Sequence, residues 1–364
     1  MDYFDNTQIE LKRYLDRTED TFNKLLSSMN GQAVIKTCLD LGFPHDVIRI
    51  AGGFATGACV QWSSVEPIIP VDTCVNVCSC SFFEIENDII DIFSDSMFGE
   101  LIQNLQKGIY VPNFHRGNHF ISYIQSTKTD KRYLLLHSSA SEFKNNFNGL
   151  YPISGNWFYD QIQIFKNDNS YIRYIKGKDA EIFYKLSENL LKFNENRHEF
   201  IAQILLRNKS IINNVAHFHH YFMPNINTVV MGSHIVSCGD IAPILSLPGE
   251  NIYMVRFDNP KDEELYLGDT KFLTPHGWGK RHKSIPNISL DVTSKKFHLD
   301  NYEYTIEFGE SLRDHPALEL RDFKTATQSR KESFFSYLDK IYNYSIIDEM
   351  KQIASYNKAG VIKW

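Results

Sequence analysis

The chain has 364 residues, 43% hydrophobic and 23% charged, which is the balance of an ordinary globular protein with length enough to bury a large core. Its formal net charge of −6 excludes a chain that grips nucleic acid by overall basicity, so any contact with phosphates must use a local basic patch or a bound metal. With 26 Phe and 19 Tyr, the core is expected to be aromatic.

The opening stretch MDYFDNTQIELKRYLDRTED is charged and lacks the apolar centre of a signal peptide. No run reaches the ~18 consecutive apolar residues of a membrane span. The six cysteines are Cys38, Cys59, Cys74, Cys78, Cys80 and Cys238, and three of them crowd into 74–80. That is no disulfide framework for a chain this long. The expectation is a reduced, cytoplasmic protein without membrane contact, its cysteine cluster serving packing or metal.

In chain order, residues 8 to about 42 read as helix, with Leu11, Leu15, Phe22, Leu25, Leu26 and Met29 at helical spacing. Residues 46–84 read as short β-prone runs broken by glycine and proline. Residues 86–108 read as helix. HFISYIQS and RYLLLHSSA read as two strands joined by the polar turn TKTDK, and residues 178–213 as helical. NTVVMGSHIVS, APILSLPGENIYMVRF and YEYTIEF then read as strands. KFLTPHGWGKRHK suits neither helix nor strand, because proline removes a donor and the glycines loosen the backbone. No repeat, low-complexity tract or linker appears, and there is no strict βαβα rhythm. The expected fold class is α+β, with one compact domain spanning 1–364: a helical N-terminal segment (1–45) and a motif-bearing core (46–364). Neither GxGxxG nor GxxxxGKS/T is present, so the usual nucleotide loops are excluded.

Four histidines stand in unusual settings. His119 lies in RGNHFISYIQS, His137 ends the apolar YLLLHSS, His217 opens VAHFHHYF, and His276 sits in TPHGWGK ahead of Lys280, Arg281, His282 and Lys283. With Asp72 and Cys74, Cys78 or Cys80 in VDTCVNVCSC, these segments offer the imidazole, carboxylate and thiolate of a divalent-metal site. Each also has a structural explanation. His137 can be a satisfied strand-end histidine, the three histidines of VAHFHH a chance cluster on a partly exposed helix, and the cysteines small core residues.

The order of these segments resembles that of the RtcB-type RNA ligases. GGFATGACVQW…IIPVDTCVNVC, GNHF, LLLHSS, VAHFHH, LSLPGENIYMVRF, PHGWGK and a terminal AGVIKW carry the resemblance from about residue 46 to 364. GNHF matches letter for letter, HGWGK resembles HGAGR, and VIKW resembles a terminal V-K-G. The resemblance implies mixed sheets around a metal site, two Mn²⁺ ions and GTP. It implies that His276 becomes guanylylated and that RNA 3′-phosphate or 2′,3′-cyclic phosphate ends are joined to 5′-hydroxyl ends, as in RNA repair or tRNA splicing. An activating protein is a further implied partner. It implies metal ligation by Asp72, Cys78, His119, His137 and His217. It also implies GMP contacts by Asn118, His276, Gly277, Gly279, Lys280 and Lys363.

The chemistry suits those residue types. A histidine nucleophile needs a free nitrogen lone pair, flanking glycines admit a nucleotide, and metal ions polarise the phosphate. Lys280 and Arg281 can hold phosphate oxygens or form a solvated basic turn. The chain also departs from the family pattern. Asp72 is wrongly spaced from Cys78, Ser122 replaces the glutamate of GNHFxE, and MGSHIVS lacks a basic pair. Glu250 replaces a serine near the expected nucleotide, and VIRIAGG stands in place of P-D-x-H. Two other readings follow from these departures: an RNA-end sensor that binds metal without sealing, and a metal-dependent phosphoesterase.

Overall fold

The computed structural model describes residues 6–106, 114, 118–140, 149–207, 209–277, 281–282, 287–307, 310–312, 315–316, 318–319 and 331–364. Helix α1 (Asn6–Ser27) leads into β1 (Gln32–Gly42), the short helix α2 (Val47–Ala51), β2 (Thr56–Ser63), β3 (Ile68–Pro70) and β4 (Cys78–Ile85). Helix α3 (Asp95–Gln106) precedes β5 (Phe120–Ser126), β6 (Arg132–Ser138), β7 (Gln163–Asn167) and β8 (Ser170–Lys176). The long helix α4 (Lys178–Leu206) is followed by β9 (Ile212–Asn225), β10 (Thr228–Met231), β11 (Ser233–Ser237), β12 (Ile241–Ile244), β13 (Ile252–Pro260) and β14 (Lys271–Pro275). Last come β15 (Arg281–His282), β16 (Ile288–Asp291), β17 (Lys296–Leu299), β18 (Tyr302–Thr305), β19 (Leu318–Glu319), α5 (Lys331–Ile341), β20 (Tyr342–Asn357) and β21 (Gly360–Lys363).

Among the described residues, eleven strands form one sheet in the order β1-β2-β10-β9-β4-β6-β5-β20-β13-β12, with β21 added on β20. Every adjacent pair in it is antiparallel. Smaller sheets pair β11 with β14, join β16-β17-β18, and join β3-β8-β7. The class is α+β, as composition and pattern predict.

Helix α1 buries the face its spacing predicts: Leu11, Leu15, Phe22, Leu25 and Leu26 are all at most 4% exposed, inside a cluster that includes Val60, Trp62 and Phe183. Truncating one such leucine to alanine costs about 2–5 kcal/mol. The helix stops well short of the expected residue 42. Gly31 lies so close to Ser63 that a Cβ there would sit 2.0 Å from its carbonyl oxygen, and Gln32–Gly42 then pairs with β2 as a strand. Its QAVIKT half alternates exposed with buried positions, a period of two that the leucine pattern upstream masks.

Other boundaries differ for similarly local reasons. VIRIA is helical because the Asp46 side chain caps it at Arg49 N, 3.0 Å. In the stretch expected as helix over 86–108, only a short turn at Ile90–Ile92 precedes α3. Helix α4 ends at Leu206, and VAHFHH belongs to strand β9. Lys271–Pro275 is strand β14, where a helix and a strand both looked unfavourable. Pro275 is tolerated because it is the strand's last residue, opposite Ser233. The hairpin of HFISYIQS and RYLLLHSS forms as β5 and β6, with Phe120 opposite His137.

Candidate metal centre

Four neighbouring strands of the large sheet, β9, β4, β6 and β5, bring together His220, Cys78, His137 and, just ahead of β5, His119. The Cys78 Sγ lies 3.2 Å from His137 Nε2, which lies 3.2 Å from His220 Nε2. These three ligand atoms all fall within 4.8 Å of one another. The observed edges are close to the roughly 3.3–3.6 Å that tetrahedral thiolate and imidazole ligands subtend at usual bond lengths. His119 stands at the margin, with Nε2 3.9 Å from Sγ.

Alternation along the strands builds the group. In CSCS at the start of β4, Cys78 and Cys80 face one side of the sheet, while Ser79 and Ser81 face α4. Cys80 pairs with His137 on one flank and Phe218 on the other. His220, two residues beyond Phe218, shares that face. A bulge sets Tyr221 opposite Cys78 and ends the regular ladder there. The chain enters β4 through two left-handed residues that are not glycine, Cys74 (φ 48°) and the β-branched Val77 (φ 50°). Such a conformation is costly and persists only where its surroundings enforce it. Here it delivers Cys78, whose N–H is held by Asn76 Oδ1 at 3.3 Å.

His137 is oriented by its other nitrogen: Nδ1–H donates to the Asn118 carbonyl, 3.1 Å away, leaving the Nε2 lone pair toward Sγ. The His220 Nδ1 is buried and has no hydrogen-bond partner among the described residues. Burial, followed by the nearby His276, His137, His234 and His219, pushes the His220 pKa well below its ordinary value, so its imidazole is neutral. A thiol and two imidazoles converging in this way fit a divalent cation.

His276 adjoins the group. Its ring stacks on His220 with centroids 4.9 Å apart, and its Nδ1–H donates to Asp40 Oδ2. Its backbone N–H donates to the same oxygen at 3.0 Å. The buried Asp40 also accepts from the Cys38 thiol, 2.8 Å. Asp40 lies where β1 loses its register between Thr37 and Gly42, and Gln8 of α1 clamps the chain on both sides of it through Leu39 O and Leu41 O, each 2.9 Å. Gly57 makes this possible: a Cβ there would meet the Leu41 N and Asp40 C atoms at 2.5 and 2.6 Å. Gly232, at φ 77°, likewise brings backbone against His276. His276, His137, Asn118, Phe120, Leu245, Ser246 and Pro248 line a cavity of ≈ 10 Å³, about the room one water needs. The Ser246–Glu250 turn beside it is pinned by Gln352 Nε2 to Leu247 O and Glu250 O, each 2.8 Å.

The structure assembles only part of the expected ligand set. Asp72 is not with the group: it is fully buried in an ion pair with Arg173, whose Nε lies 2.9 and 3.0 Å from its two oxygens. Burial raises the Asp72 pKa and Arg173 opposes the rise. Removing one partner of such a pair costs about 3–5 kcal/mol. His217 lies on the opposite face, where Nδ1 meets Ser81 Oγ at 2.7 Å and Nε2 meets Glu199 at 3.2 Å. His220 occupies the place expected for His217. The Lys363 Nζ donates to Ile90 O, 3.3 Å, and does not line the cavity. Gly277 is buried and bridges to Leu245. Gly279, Lys280, Trp278 and Lys283 lie outside the described residues, as do the side chains of Arg281 and His282. Ser122, where a glutamate was expected, is buried and donates to Ser355 Oγ of β20, 2.9 Å.

On the face toward α4 lies a separate hydrogen-bond network. The His198 nitrogens meet Ser81 Oγ at 2.7 Å and Ser138 Oγ at 2.6 Å. Asn194 Nδ2 donates to Ser79 Oγ at 2.7 Å, and Arg197 Nη2 to Ser139 O at 2.6 Å. Burial lowers the Arg197 pKa to about 9. Sequence reasoning missed Asp40, His220 and this network. The parity of β9 would have found His220, and CLDLG in a strand flanked by a glycine-rich partner would have found Asp40. No protein-family model and no curated protein sequence matches the chain. No helix among the described residues is long and apolar enough to cross a membrane.

Proposed function

We propose that the chain is a divalent-metal enzyme acting on RNA ends, joining a 3′-phosphate or 2′,3′-cyclic phosphate to a 5′-hydroxyl with GTP as co-substrate. The observation that carries this reading is the packing of His276, its Nδ1–H engaged by buried Asp40, directly onto the Cys78–His137–His220 group. The Asp40 carboxylate fixes the tautomer whose Nε2 carries a lone pair, and it stabilises the positive charge that grows on the ring as that nitrogen attacks phosphorus. In that step a P–N bond forms to the GTP α-phosphate, the bond to the β-phosphate oxygen breaks, and pyrophosphate leaves. Cys78, His137 and His220 would hold one Mn²⁺, and Cys78 with His119 a second. The ions supply Lewis-acid polarisation of the phosphate. The RNA-ligase resemblance of GNHF and HGWGK supports the choice of substrate.

The test is incubation with α-labelled GTP and Mn²⁺. The reading expects protein-bound label that is acid-labile and base-stable, and that is lost in His276→Ala. No label in the wild type, or label that survives His276→Ala, overturns the nucleophile assignment. A second reading, hydrolysis of 3′-terminal phosphates by metal-activated water, is favoured by the water-sized cavity beside His276. It predicts phosphate release from a 3′-phosphate RNA without GTP, which the same RNA incubated with and without GTP separates from ligation.

A further inference from the structure

A larger cavity, sharing no lining residue with the metal centre, opens on the β7–β8 hairpin. Its volume of ≈ 580 Å³ is that of a small-molecule site. The register explains its chemistry. Ile164 pairs with Arg173 and Lys166 with Tyr171, so these four side chains stand on one face of the hairpin and line the cavity together.

Three features point to an anionic ligand with a flat apolar body. The Tyr171 side chain lines the cavity and is only 5% exposed, and its buried hydroxyl has no hydrogen-bond partner among the described residues. Arg173 spends Nε and Nη2 on Asp72, leaving its Nη1 without a protein partner among the described residues. Lys166 and Lys295, also lining it, form no ion pair among the described residues, and Lys295 adopts a left-handed conformation (φ 55°) at the β16–β17 tip. Against these three cations the lining offers one carboxylate, Glu307. The apolar part of the walls includes Ile164, 54% exposed, and Tyr159, 36% exposed.

We propose that this cavity binds an aromatic phosphomonoester of nucleoside-monophosphate size. A phosphomonoester carries nearly two negative charges near neutrality, and these fall to Lys166 and Lys295, because Asp72 already neutralises Arg173. Its oxygens accept from a guanidinium and a phenol together, and its ring stacks on the isoleucine and tyrosine walls. The proposal does not rest on the reading of the metal centre.

The test is calorimetric titration of the full chain with phenyl phosphate and with 5′-UMP, alongside benzoate and inorganic phosphate. The expected result is saturable binding of both esters, weakened about tenfold in Lys166→Ala/Lys295→Ala and several-fold in Tyr171→Phe. Cys78→Ala is expected to leave it unchanged. These substitutions avoid Arg173, whose loss would strand buried Asp72. The proposal is overturned if neither ester binds saturably, if benzoate or phosphate alone binds as tightly as phenyl phosphate, if the double lysine variant binds normally, or if Cys78→Ala abolishes binding.

Discussion

The two faces of the β4–β6–β9 region carry similar residues and use them differently. Toward α4, both nitrogens of His198 and of His217 meet a serine hydroxyl or a carboxylate, and Asn194 and Arg197 complete the bonding. That face is a polar core bonded to α4. On the other face, nitrogen and sulfur atoms crowd toward each other at 3.2 Å, and the His220 Nδ1 has no partner among the described residues. A fold that ties both nitrogens of its histidines to protein groups on one side and leaves nitrogen and sulfur facing one another on the other has reserved the second side for a ligand. Buried histidines are therefore distinguished by what their nitrogens meet.

The comparison can be broken most sharply through the His276 pair. Asp40→Asn should keep the ring in place yet lower guanylylation on the order of 10²–10⁴-fold, read as the rate of label transfer from GTP. A normal rate would separate Asp40 from the chemistry. Next in size is the split between neighbouring histidines of β9. His220→Ala should reduce metal affinity about 10–100-fold or more by equilibrium dialysis, whereas His217→Ala should bind metal as the wild type does. Equal losses would erase the distinction between the faces.

On the face toward α4 the expected effect is on stability. His198→Ala leaves Ser81 and Ser138 hydroxyls short of a partner and should cost about 1–3 kcal/mol in urea unfolding, with metal content unchanged. The smallest effect is on pH dependence. Burial first, then His276, lowers the His234 pKa from 6.5 to about 4. The unfolded chain then binds a proton that the folded chain refuses, so metal-free protein should lose stability as pH falls from about 6.5 to about 4 and level off below. His234→Gln should flatten that slope; an unchanged profile would assign it to other groups.

What was legible in the sequence was local. Alternation in HFISYIQS and RYLLLHSS gives the hairpin that carries His119 and His137, and the cysteine-rich turn gives Cys78. What was not legible depended on parity or on distant pairing. His217 and His220 lie in one short string, and only strand geometry decides which faces Cys78. Asp40 was hidden because the helical spacing of α1 extends visually into β1, whose bulge exists only through pairing with β2 and the clamp of Gln8. Asp72 looked like a ligand because its partner Arg173 is 101 residues away.

The central claim is that Cys78, His137 and His220 hold a divalent cation. Crystals of the wild-type chain grown with Mn²⁺ and measured at the metal absorption edge test it most directly. The account predicts an anomalous peak about 2.0–2.4 Å from Cys78 Sγ, His137 Nε2 and His220 Nε2, on the face that carries His276. A peak beside His217 and Glu199 instead, or none at this group under saturating metal, would contradict it.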